Sequence, residues 1–248
     1  MVTHPFRKER KKDGVSGNWM GKNRFHSEWR PTMTLNEAKR YSILVHAEIW
    51  NLLGEITTLP GARFQLVPAY LTMALEHQKA IVVLVDLDLR GSAFALLRLQ
   101  IEAAFRGLWI GKIATEQQLE DFATKGVDLF GKLKFKDMTK QIDDAYQAKG
   151  GLQSIIDKFW TPLNGFTHTG YEQLVRRFNS IGTIVPDYAD DLTESLLLCS
   201  SETSYITAGF ILAIMGFFEQ SKALRIWHTN NKLNTKLDFE ELVEVKPA

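Results

Sequence analysis

Apolar positions along this chain recur mainly at three- and four-residue spacing, the period of an α-helix with one buried face. Ile43, Leu44, Ala47, Ile49, Trp50 and Leu53 follow Thr34-Leu-Asn-Glu37, a capping box in which Thr34 and Glu37 each satisfy amides of the first turn. A first helix is predicted from there to about Thr57, stopped by Pro60-Gly61. A second runs from about Val67 to Leu87, with Pro68 in its first turn and Tyr70, Leu71, Ala74, His77, Ile81 and Leu84 on one stripe. The β-branched run Ile81-Val-Val-Leu-Val85 would suit a buried strand, but helical pattern flanks it, so length decides for helix.

Gly91 is placed as the left-handed end of that helix and Ser92 as the N-cap of the next, giving a tight helical hairpin over about 67–88 and 92–114. The third helix, Ala93 to about Ala114, is apolar nearly all round and belongs at the centre of a bundle. Thr115-Glu-Gln-Gln118 caps a shorter helix to about Ala123, and further helices fit Lys136 to Ala148 and Leu152 to Trp160. Thr161-Pro162 then reads as a break or as an N-cap with its first helical residue. The pattern from about Tyr188 to His228 is either one long helix bent near Ser200–Ser204 or Gly209, or two helices in series. The fold class is therefore all-α: a helical bundle at 32–230, with a flexible basic arm at 1–31 and a polar tail at 231–248.

Composition narrows function more than fold. The net charge of +1 provides no global basic field, but residues 1–30 hold eight Lys or Arg against three Asp or Glu, so the rest carries 22 against 26. The cluster Arg7-Lys-Glu-Arg-Lys-Lys12 is a solvated tail or a tether for an acidic partner. One cysteine, Cys199, excludes an internal disulfide framework and fits a reducing, cytoplasmic setting. No secretory signal precedes Thr32. The apolar run Ile206–Phe218 is 13 residues, short of the roughly 20 that span a bilayer, so no membrane partner is expected. Metal ligation has no motif here, Cys/His clusters and Gly-rich phosphate loops are missing, and no cofactor or metal is expected.

Chemistry concentrates on the third helix. Arg98, Glu102 and Arg106 follow i, i+4, i+8 spacing and share one face, the glutamate between two guanidiniums. In so apolar a helix the extra positive charge needs an answer: Asp86, Asp88, another helix, a bound anion or a second subunit. The face is either an anion-facing pocket or a structural network fixing the bundle's register. The second feature is Phe166-Thr-His-Thr-Gly170. Either Thr169 and Glu172 form a capping box with His168 just before a helix, or Pro162 opens a helix carrying Asn164 and His168 one above the other. Arg176 and Arg177 add basic character nearby and complete an anion-binding set with Arg98 and Arg106.

The segments Gly91-Ser-Ala-Phe-Ala-Leu-Leu-Arg98, Ile101-Glu-Ala-Ala-Phe-Arg106-Gly-Leu-Trp109 and Phe166-Thr-His168-Thr-Gly170, upstream of Arg176-Arg177, resemble a family of uncharacterised bacterial helical proteins known as a domain of unknown function. The resemblance spans about residues 65–220. More distantly, an R-x-x-x-E helix with a later histidine resembles the HEPN superfamily, many of whose members are metal-independent ribonucleases of toxin and antiphage systems. That superfamily's Arg-to-His spacing is met by Arg40 and His46, but on the first helix rather than a late one. The resemblance therefore implies His168 as general acid or base, with Arg98, Glu102 and Arg106 completing the catalytic set and the arginines holding phosphate. It implies RNA or another phosphate-bearing ligand as partner, and a homo-oligomer, a dimer. The competing expectation is a non-enzymatic interaction or oligomerisation module.

Overall fold

The computed structural model describes residues 33–54, 57, 59–148, 150–178 and 183–231; the predicted basic arm and most of the polar tail lie outside them. The described residues form α1 (Leu35–Leu53), α2 (Ala62–Asp86), α3 (Arg90–Lys112), α4 (Glu116–Lys125), α5 (Phe135–Tyr146), α6 (Gly151–Thr167), α7 (Tyr171–Leu174), a 3-10 turn Val175–Arg177, α8 (Asp190–Ile214) and α9 (Phe218–Asn231). Among them the one strand-like pairing is a single antiparallel bridge between Phe178 and Ile184. The chain is an all-α helical bundle.

The capping boxes predicted at Thr34 and Thr115 form. The Thr34 Oγ1 accepts from the Glu37 amide at 3.3 Å while Glu37 accepts from the Thr34 amide at 2.7 Å, and Thr115 and Gln118 repeat the exchange. α1 ends at Leu53, before Thr57, and α2 opens at Ala62, which puts Pro68 inside the helix rather than in its first turn.

The hairpin turn differs from its expected form. Asp88, not Gly91, adopts the left-handed conformation (φ 56°), which a short carboxyl side chain tolerates, and Leu89, not Ser92, is the N-cap of α3. Gly91 is buried inside α3 because the Tyr188 hydroxyl occupies the space a Cβ would need, 2.5 Å from that position.

α8 is the central strut. It packs against α1, α2, α3 and α9, and is buried on every side from Leu192 to Ala213. Leu192, Leu196, Leu197, Ile206, Phe210, Ile211 and Leu212 each contribute roughly 1.5–3 kcal/mol by burial, and this offsets the polar groups that the same helix takes inside. Those between Ser200 and Ser204 are paired: Gln100 of α3 donates to the Ser200 carbonyl (2.8 Å) and Ser204 Oγ (2.9 Å), and Ser200 donates back to Gln100 (2.6 Å). Ser201 donates to Ser42 of α1 at 2.8 Å. Glu202, 3% exposed, accepts from the Tyr41 hydroxyl (2.8 Å) and meets His228 Nε2 at 3.1 Å, with the His228 ring stacked on Tyr205.

The C-terminal pattern is two helices in series. They part at Met215–Phe217, where Gly216 takes φ 83°, and not at the serines or Gly209. By length and composition α8 could cross a membrane, which the Ile206–Phe218 run alone does not suggest, but 83% of its apolar window is buried within the protein. Its polar residues sit at interhelical contacts, so the helix extends well beyond that apolar run as a core element.

Candidate functional site

Two helices carry the site. α6 runs unbroken through Thr161-Pro162, so neither the break nor the N-cap reading holds there. It is fastened to α3 by Phe166, stacked on Phe94 at 4.6 Å, and abuts it at Thr167, whose one hydroxyl proton is shared between the Leu163 carbonyl of α6 (3.0 Å) and the Ala95 carbonyl of α3 (3.3 Å). The next residue, His168, is thereby delivered one helical turn along α3, onto Arg98.

The chain leaves α6 through a tight reversal. The His168 amide donates to the Asn164 carbonyl (3.0 Å), the Gly170 amide to the Gly165 carbonyl (2.7 Å), and Thr169 between them takes φ 52°. This is the Schellman arrangement, with a β-branched residue where glycine is usual. The predicted Thr169–Glu172 box does not form, since the N-cap of α7 is Gly170 with no side-chain cap. His168 is the C-cap of α6 and is exposed.

Arg98 Nη1 lies 2.5 Å from His168 Nε2. A guanidinium can only donate, so Nε2 accepts in this arrangement and the ring proton is on Nδ1. Arg98 also meets Glu102 at 3.8 Å and lies over the Trp160 ring, 4.8 Å from its centroid. The other partner of Trp160 is Phe135, stacked 3.9 Å away and nearly parallel. The Arg98 and Glu102 side chains are 16% and 22% exposed, enough to be reached from solvent at one edge. Arg98 Nε is buried and has no hydrogen-bond partner.

Arg106 does not join this group. Eight residues along a helix separate it from Arg98 by about 12 Å of rise. Its guanidinium lies over Phe130, 4.9 Å from the centroid, and beside Tyr70. Burial pushes the Tyr70 hydroxyl above the ordinary tyrosine range, and Arg106 pulls the other way by charge and hydrogen bonding. Glu102 therefore serves Arg98 alone. Asp86 and Asp88, candidates to answer the arginines, are engaged elsewhere, with Lys39 (2.8 Å) and Arg90 (2.9 Å).

Arg176 lies over Phe166 at 5.9 Å, behind the His168 turn, and Arg177 lies against Gly91 at the start of α3. Both act by charge on Tyr188, whose ring lies 6.5 Å from that of Phe166, so the two share one neighbourhood on the α3–α6 side. Arg40 is exposed and His46 half-buried on unbroken α1, about 120° apart around it, so that pair forms no common site. Sequence reasoning missed Trp160 and Tyr188. Their signal was an aromatic residue at each end of the segment that carries His168, which hydrophobic patterning counts only as core. Among the described residues no group of three or more His, Cys, Asp and Glu is placed to hold a metal ion.

The arrangement defines a helical bundle whose α3–α6 junction presents an arginine-held histidine to solvent. The chain belongs to DUF6988, a family of unknown function, whose match covers residues 71–232 and so takes in every element of this junction. No curated protein and no solved structure matches the chain.

Proposed function

We propose that the Arg98–His168 junction is a metal-independent RNA-cleaving site of the HEPN kind, in a bacterial, cytoplasmic protein of toxin or antiphage type that works as a homodimer. The observation that carries this reading is the 2.5 Å contact between Arg98 Nη1 and Nε2 of an exposed histidine. A backbone phosphate entering the junction competes for the guanidinium and releases Nε2 as a base. His168 then takes the proton of the ribose 2′-hydroxyl as the O2′–P bond forms; the P–O5′ bond breaks and the departing oxygen takes a proton from water. Arg98, aligned by Glu102 and Trp160, stabilises the charge gathering on the non-bridging oxygens.

A second reading has its own support. Arg98 and Arg106 both lie over aromatic rings, as guanidiniums that only lock helices together would, and the protein is then an interaction module without chemistry. Cleavage of a labelled RNA in excess EDTA, by the parent and by His168→Ala, separates the two. Loss of about 100-fold or more in the variant supports catalysis, in line with the usual contribution of a general base. Equal rates, or no cleavage by the parent, sink it.

A further inference from the structure

α2 is apolar on two faces. The inner one packs into the core through Leu71, Leu75, Ile81 and Val82. Opposite it, Ala69, Met73, Glu76, Ala80, Val83 and Leu87 follow one another at alternating steps of four and three residues, and all but the half-buried Ala80 are exposed. Met73, Val83 and Leu87 keep 47%, 49% and 64% of their surface in water, on a face where a solvated helix carries charged and polar residues. Steps of four and three hold a row of side chains along one line of a helix, the seam by which one helix packs against another. α1 lies antiparallel beside α2: Lys39 pairs with Asp86 at 2.8 Å, and Gln78 donates to the Ser42 carbonyl at 3.3 Å. Ile43, one turn after Lys39, and Trp50, two turns further, are exposed and edge the seam.

Glu76 is the one charge in the row, and it indicates what covers the face. Neither Glu76 nor the exposed Lys79, nearly one turn on, has an ion pair among the described residues. Let α2 of a second copy lie antiparallel across the row, turned about a two-fold axis midway between Glu76 and Ala80. Met73 then meets the partner's Val83, Ala69 meets the partner's Leu87, and Glu76 meets the partner's Ala80, one position from the partner's Lys79. The bulky leucine faces an alanine, and each carboxylate gains an ammonium from the other chain. We infer that the outer face of α2, edged by α1, is the surface through which two copies of this chain form a dimer. From Ala69 to Leu87 is about 27 Å of helix, and two helices each about 10 Å across make a face of about 20 by 27 Å, on the scale of the roughly 800 Å² that each partner of a stable dimer covers. A charged pair within an apolar seam also fixes its register, since sliding by one turn separates the charges. None of these side chains is a partner of Arg98 or His168, so the interface gives the homodimer its surface without relying on cleavage.

The test is sedimentation equilibrium of the full chain over a range of concentrations, for the parent, Val83→Glu, Glu76→Lys, Lys79→Glu and the double swap Glu76→Lys/Lys79→Glu. All three positions are exposed in the single chain, so the helical signal should be the same in every variant. The parent should dimerise; Val83→Glu and each single reversal should raise the dissociation constant about tenfold or more, and the double swap should bring it back to within about threefold of the parent. Recovery in the swap is a result that a merely damaged helix does not give. A monomeric parent overturns the inference and leaves the face to another segment of this chain or to a different protein. A dimer that Val83→Glu leaves intact overturns it too, as do single reversals that the swap fails to rescue. His168→Ala should dimerise like the parent, which keeps this result separate from the fate of the cleavage reading.

Discussion

Arg98 and His168, 70 residues apart in sequence, meet at 2.5 Å because Phe94 and Phe166, one turn and two residues before them, stack on each other. The contact thus depends on an apolar anchor that fixes the register of α6 against α3. Arg98 has three partners and His168 has one, so their variants should behave differently. Arg98→Ala removes the cover of Trp160 and leaves Glu102 half-buried without its cation. It should cost about 1–3 kcal/mol, measured by urea unfolding. His168→Ala, at an exposed position, should stay within about 0.5 kcal/mol of the parent. Equal losses would show that the histidine is as structural as the arginine.

Thr169 holds a left-handed conformation that costs a β-branched residue roughly 1–2 kcal/mol. Thr169→Gly should therefore raise the thermal midpoint while loosening the turn that presents His168. A lower midpoint would show that the threonine side chain returns more than the backbone costs.

Burial lowers the affinity of His46 and His77 for protons below that of free histidine, ordinarily near 6.5. For a group whose folded value is depressed, the unfolded chain takes up its proton first, so stability is intact above the unfolded value and declines as pH falls below it. The thermal midpoint should drop between about pH 7.5 and about pH 5.5, and a His46→Gln/His77→Gln double variant should lose much of that drop. The raised carboxyls of Asp143 and Glu194 have the opposite sign, since protonation relieves them, and they act at lower pH. An unchanged profile in the double variant would assign the transition to other groups.

Cys199 is buried in α8 with its thiol pushed up to about 12, chiefly by desolvation. Thiolate is the reactive form, so a disulfide-exchange reagent should label the native protein only through unfolding. Its labelling rate should rise with urea in step with the loss of helical signal. Fast labelling in buffer would place α8 in an environment open to solvent.

Periodicity and capping made the helices legible: Thr34/Glu37 and Thr115/Gln118 are local signals, and local signals survive into the fold. The turn between α2 and α3 did not read correctly, because the left-handed position falls on Asp88 and Gly91 is needed for an approach by Tyr188, 97 positions away. Arg98, Glu102 and Arg106 share a face, as spacing requires. Spacing is blind to what lies opposite, and here Trp160 and His168 face one end while Phe130 and Tyr70 face the other. The serines and Glu202 of α8 read as a possible bend; they are instead the inner polar contacts to α1, α3 and α9, which depend on partners from far along the chain.

Those contacts bear on where the folding unit begins. The family match starts at Leu71, inside α2, yet Tyr41 and Ser42 of α1 supply hydrogen bonds to Glu202 and Ser201, and Val45 and Ile49 are fully buried in the shared core. A fragment trimmed to the matched region would strip one wall from a 25-residue apolar helix and leave a carboxylate without its phenol. Such a fragment should sediment with detergent micelles or aggregates, and could be mistaken for a membrane protein by its behaviour alone.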